Sequence, residues 1–200
     1  MKILITAFEP FGGGTRNASL EILHALPETH CGAELHTMEL PVIYDRCGEM
    51  LREAAGTLKP DAVLCLGQAE GRSAVTPEST AFNLDDSQAK DNAGQIRQST
   101  PILKGAADSY PTGLPAQEMV SAMAAKGIPA ELSHSAGRYV CNNLMFHAVR
   151  YGAEAGIRAG FIHVPISWDN GRGTPFLPGE TLLDAILTAI EVLVNTAPET

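Results

Sequence analysis

The chain has 200 residues, 44% of them hydrophobic, which is enough for one domain with a buried core. Its formal charge of −9 and lack of a Lys/Arg cluster argue against nucleic-acid binding, which needs cations to neutralise phosphate. No apolar run approaches the roughly 18 residues of a membrane-spanning helix, and the apolar stretch after Met1-Lys2 is too short for a signal-peptide core, so a soluble, cytoplasmic protein is expected.

In chain order, β-rich apolar runs fall at 3–7, 34–40, 62–66, 130–133 and 160–164. Helical spacing lies between them, over about 18–25, 44–58, 114–125 and 142–153. It is clearest over 180–195, where Leu182, Leu183, Ile186, Leu187, Ile190, Leu193 and Val194 form one stripe. The runs DAVLCLG and GFIHVP are almost wholly apolar, as strands buried on both faces are. Strands alternating with helices predict a largely parallel sheet covered on two sides, in one domain spanning 1–200. The polar stretch 85–113 breaks the rhythm; it is long for a structureless loop and reads as a hairpin arm or lid.

The first strand runs into ITAFEPFGGGTRN. This is not a Walker A loop, because no lysine follows, and it is not a dinucleotide fingerprint, because Asn17 stands where the third glycine belongs. Glu9 would repel phosphate. Phe8 and Phe11 flank Pro10 at the carboxyl end of a strand, the edge where open α/β sheets bind ligands. An exposed aromatic pair there suits a flat, uncharged ligand.

The four cysteines, Cys31, Cys47, Cys65 and Cys141, match no zinc spacing, and an intracellular chain keeps them reduced. Cys141 sits where SAGRYVCNNLMF turns from a strand into a helix. A helix N-terminus favours a thiolate, with a pKa of roughly 3.5–7.5 at such positions, and its free amides can form an oxyanion hole. A cysteine nucleophile needs a base. Of the six histidines, His163 lies at the carboxyl end of a buried strand, on the same edge as Cys141. The acid that orients it is open among Glu70, Glu78, Asp85 and Asp86.

Taken together, FEPFGG with Asn17, GQAEGRSAVTPES, DNAG, SAG-YVCNNLM and GFIHVP resemble the pyroglutamyl peptidase type I family in order and spacing, from residue 2 to about 165. The resemblance implies a three-layer α/β/α sandwich with a largely parallel central sheet. It also implies a cysteine exopeptidase that removes N-terminal pyroglutamyl groups from peptides. The triad would be Cys141, His163 and Glu78. Phe8, Phe11, Asn17, Gln68, Tyr139 and Val140 would shape the pyroglutamate pocket, in a homotetramer with no metal or organic cofactor. Pyroglutamate is the flat, uncharged lactam that a Phe8–Phe11 sandwich would fit.

The chain departs from the family pattern at several places. Ser79 follows the triad glutamate in place of Lys or Arg. The family's DARIPDN reads DSQAKDN, so Gln88 replaces an arginine of the oxyanion region, with Ala89 and Lys90 beside it. Tyr139 replaces phenylalanine and Asn143 replaces histidine. The alternative reading is a weakened family member that binds pyroglutamyl peptides or a small lactam.

Overall fold

A computed structural model describes residues 1–196. The apolar runs form β1 (Lys2–Phe8), β3 (Ala33–Leu40), β4 (Ala62–Gln68) and β10 (Arg158–Val164). They are parallel and lie in the order β3, β1, β4, β10. Two short antiparallel strands, β2 (Thr29–His30) and β5 (Thr76–Pro77), close the two edges.

Side chains alternate across the sheet and divide the core in two. On one face α1 (Ala18–Ala25), α3 (Ala116–Ala125) and α5 (Gly179–Asn195) pack on Ile3, Ile5, Leu64, Leu66, Ile162 and Val164. On the other, α2 (Arg46–Leu58) and α4 (Val140–Ala155) pack on Leu4, Phe8, Val63, Cys65 and Phe161. The result is an α/β sandwich. The stripe on α5 buries Leu182, Ile186, Ile190 and Leu193, as the sequence predicts, while Leu183, Leu187 and Val194 are only partly buried. No helix among the described residues is long and apolar enough to cross a membrane.

Two expectations change. The run 130–133 is not a strand: it makes only isolated parallel bridges, Val75 with Ala130 and Glu78 with Ser133. Its neighbour carries Pro77, which has no N–H to give to a ladder. The helix expected from 142 begins at Val140, so Cys141 lies within its first turn rather than at a junction.

The polar stretch 85–113 contains a hairpin. In it β7 (Asp85–Ser87) pairs with β8 (Arg97–Thr100), and β9 (Ser109–Pro111) returns to β6 (Thr80–Phe82). Asn142 ties this excursion to α4. Its Oδ1 accepts from Phe82 N at 2.9 Å, and its Nδ2 donates to Phe82 O and Leu84 O at 2.9 and 3.0 Å. Asn142→Ala leaves those partly buried backbone groups unpaired and is expected to lower unfolding free energy by about 2–4 kcal/mol in urea titrations.

Candidate active site

The site forms at the carboxyl edge of the sheet because of how α4 meets β10. The helix ends at Gly156, which caps it in a left-handed conformation (φ 69°), and β10 begins two residues later. The helix therefore runs back along the strand. Gly152 permits close packing, since a Cβ there would stand 2.7 Å from that of Ala159. Sixteen helical residues span about 24 Å and seven extended ones about 23 Å, so the start of α4 is level with the end of β10. Cys141 and His163 sit at those two ends.

Gly67 joins them. It pairs in register with His163 and faces α4. A Cβ on Gly67 would lie 3.3 Å from Cys141 Sγ and 2.6 Å from Phe161 Cζ. The thiol thus rests over a bare backbone, at the position that pairs in register with His163 on the neighbouring strand.

His163 is 3% exposed, and its Nδ1 meets Glu78 Oε1 at 2.8 Å. Glu78 is wholly buried in the connection between β5 and β6. The structure separates it from the other acids. Glu70 accepts from Asn170, Asp86 accepts from Ser99 N, and Asp85 binds Asn143 and Arg97. Burial would raise the Glu78 carboxyl, but His163, Ser133 and Arg72 outweigh it and hold it below its usual range. Glu78 is therefore an acceptor, so His163 carries its proton on Nδ1 and turns the lone pair of Nε2 away from the acid.

Arg72 is the residue that sequence reading missed. Its Nη1 donates to Glu78 Oε1 at 2.7 Å, the same oxygen that meets His163. It also bonds Thr76 Oγ1, and its Nη2 donates to Ser135 O at 3.3 Å. The only sequence signal was its place in GQAEGR, directly after β4.

The thiol does not rest as the expected thiolate. Cys141 keeps some surface as a residue, but burial pushes its sulfur up to about 12, the Glu78 charge adds to this, and Arg72 and the local backbone N–H pull the other way. A helix N-terminus contributes at most about 2 kcal/mol, or roughly 1.5 pH units, which is too little to reverse it. Burial also lowers His163 despite Glu78. Both partners rest neutral. Cys65 and Cys47 are buried and pushed up by desolvation as well, and Cys31 is exposed in a turn.

The remaining expected site residues divide into walls and supports. Phe8 corrects the exposed-pair expectation: it is 2% exposed and packs on Phe161 at 6.5 Å, because β1 turns it into the core. Phe11 is partly buried above it. Asn17 is buried as the cap of α1, accepting from Ser19 N and donating to Glu9 O, so both its polar ends are occupied. Gln68 Oε1 accepts from Ala18 N at 2.8 Å, which leaves Nε2 as a donor without a partner among the described residues. Tyr139 packs edge-on against Tyr44 and donates its hydroxyl to Lys90 O, and Val140 is fully buried.

No side-chain cap closes the first turn of α4, so the N–H groups of Val140 and Cys141 lack helical partners. Gln88 lies on an exposed turn and makes no side-chain hydrogen bond among the described residues. The cation of this region is instead Arg97. It pairs with Asp45 at 2.6 Å and with buried Asp85 at 3.0 Å, next to Asn143. Adding a methyl group at Gly67 tests the packing: Gly67→Ala is expected to cost about 1–3 kcal/mol in stability and most of the activity, read by urea unfolding and amide hydrolysis.

Comparisons with known proteins identify the family. Residues 1–196 match the family described as pyroglutamyl peptidase. The chain is 41% identical over 197 residues to pyrrolidone-carboxylate peptidase 1 of Streptococcus pneumoniae serotype 4, covering 98% of this chain and 92% of that one. It is 37% identical over 201 residues to the pyrrolidone-carboxylate peptidase of Alkaliphilus oremlandii, covering 100% and 94%. The crystal structure of pyroglutamyl peptidase I from Bacillus amyloliquefaciens superposes with a TM-score of 0.93 at 33% identity, covering 98% and 97%. A mutant pyrrolidone carboxyl peptidase from the hyperthermophile Pyrococcus furiosus gives 0.92 at 35%, covering 97% and 98%. The chain belongs to the pyroglutamyl peptidase family.

Proposed function

We propose that Cys141, His163 and Glu78 carry the reaction of this peptidase, the removal of an N-terminal pyroglutamyl group from a peptide substrate. The observation that carries the assignment is the His163–Glu78 contact at 2.8 Å, with His163 in register with the Gly67 over which the thiol is seated.

Both reacting groups start neutral, so the proton moves as the bond forms. Sγ attacks the pyroglutamyl carbonyl while Nε2 of His163 takes the thiol proton. The resulting imidazolium is held between the Glu78 carboxylate and the reacting centre. The oxyanion points to the free N–H groups of Val140 and Cys141. Collapse breaks the C–N bond, and His163 gives its proton to the departing amine. Water then attacks the thioester, His163 takes a proton from it, and the proton returns to sulfur as pyroglutamate leaves.

Specificity follows from what the pocket lacks. A lactam ring carries no ammonium group. Phe11 and Tyr139 offer apolar walls, with the buried Phe8 and Val140 packed behind them, and Gln68 Nε2 offers one donor to the lactam carbonyl. Asn17 acts through the loop it fastens at Glu9. An ordinary charged N-terminus would be left unpaired there. The cytoplasmic location and the homotetramer implied by the resemblance belong to the same proposal.

Four outcomes are expected. A pyroglutamyl amide of a fluorescent amine is hydrolysed and a prolyl amide is not, and Cys141→Ala abolishes release; turnover by Cys141→Ala would remove the nucleophile. The lowered His163 stays an unprotonated base below its ordinary value, so the acid limb of kcat/KM falls below about pH 6.5. Iodoacetamide alkylation of the free enzyme at Cys141 climbs steadily from pH 7 to 10, whereas a resting thiolate would give a plateau near neutrality. Sedimentation equilibrium at four times the chain mass is expected for the tetramer.

A further inference from the structure

Glu78 poses an electrostatic problem that the triad alone does not solve. It is wholly buried, its Oε2 has no hydrogen-bond partner, and its Oε1 serves both His163 and Arg72. A buried carboxylate with one imidazole partner reaches neutrality most readily by protonating that imidazole, because an isolated charge in a low dielectric is costly. An imidazolium formed that way cannot act as a base. Arg72 supplies the alternative. Its guanidinium is always charged, stands 2.7 Å from Glu78, and is held by Thr76 Oγ1 and Ser135 O. Thr76 in turn donates to His163 O at 3.4 Å, so the same arginine is tied to both ends of the pair.

We propose that Arg72 is a positioning residue for the reaction, which neutralises the buried Glu78 carboxylate and thereby leaves His163 as a free base. The inference rests on the assignment of His163 as the base. The charged and titratable groups around the imidazole are Glu78 from the β5–β6 connection, Arg72 from the loop after β4 and Cys141 from α4. Arg72 is the cation among them, and Ser79, directly after Glu78, is bonded instead to exposed His134. The arginine charge acts to lower both His163 and Cys141. Its removal should therefore raise the pH at which His163 gains its proton.

The test is a pH–rate profile of pyroglutamyl amide hydrolysis for the wild type, Arg72→Gln, Arg72→Lys and His163→Ala, with near-ultraviolet circular dichroism to confirm folding. Arg72→Gln is expected to move the acid limb up by about one pH unit and to lower kcat at pH 6 by about three- to eightfold, with KM little changed. Arg72→Lys keeps the charge and should keep the limb near its wild-type position. Arg72→Met, which retains the packing of the stem, stands in if Arg72→Gln does not fold. A folded neutral variant with an unmoved acid limb would overturn the proposal, as would an Arg72→Lys limb displaced as far as that of the neutral variant. Wild-type activity that survives His163→Ala would instead sink the base assignment itself, a result distinct from failure of the Arg72 role.

Discussion

The length match between α4 and β10 is the constraint on which the site depends. The helix and the strand cover almost the same distance in opposite directions, with one left-handed glycine between them. Their matched lengths therefore bring the first turn of α4 to the level of His163. Gly67 then decides whether the sulfur has room. A side chain there would press on Phe161 and the thiol, and its absence leaves a backbone floor under the sulfur. The proposed nucleophile and base come from two elements joined by a short turn, and only the proposed acid has to be brought from elsewhere.

Glu78 arrives through a segment threaded between β10 and residues 129–133. Its backbone N–H donates to Phe161 O, and Ser79 N donates to Ser133 O. The backbone at Glu78 is thus fixed on both sides by main chain, while its carboxylate meets the side chains of His163 and Arg72. The cost of burying it is offset by an imidazole and a guanidinium that share its Oε1, so three groups with one charge of each sign rest close to neutrality. The site is poised for transfer of a proton rather than storage of a thiolate. Burial explains both halves of that state, since it disfavours the anionic sulfur and the cationic ring together.

Much of this was legible in the sequence. Period-two and continuous apolar runs located the four parallel strands, and helical spacing located α5 and most of α4. A histidine at the end of a buried run and a cysteine at a helix start pointed to the same sheet edge. What was not legible depended on distant partners. Phe8 looked exposed because it precedes a glycine loop, yet Phe161 from the far end of the chain covers it. The run 130–133 has strand composition, but its neighbour contains Pro77. Arg72 looked like any polar loop residue until Glu78 was placed beside it. Gln88 drew attention as a lost arginine, while the cation that orders this region, Arg97, lies nine positions further on and reaches back to Asp45 and Asp85. A helix start suggests a thiolate, and only the packing around the sulfur shows that desolvation is the larger influence.

The central claim is that Cys141 forms the covalent intermediate with His163 as its base. Acid-quenching the enzyme during turnover of a pyroglutamyl ester, followed by peptide mass spectrometry, tests it most directly. The account predicts one pyroglutamyl acyl group on the peptide carrying Cys141, and none after Cys141→Ala. An acyl group on another side chain, or continued turnover by Cys141→Ala, would contradict it.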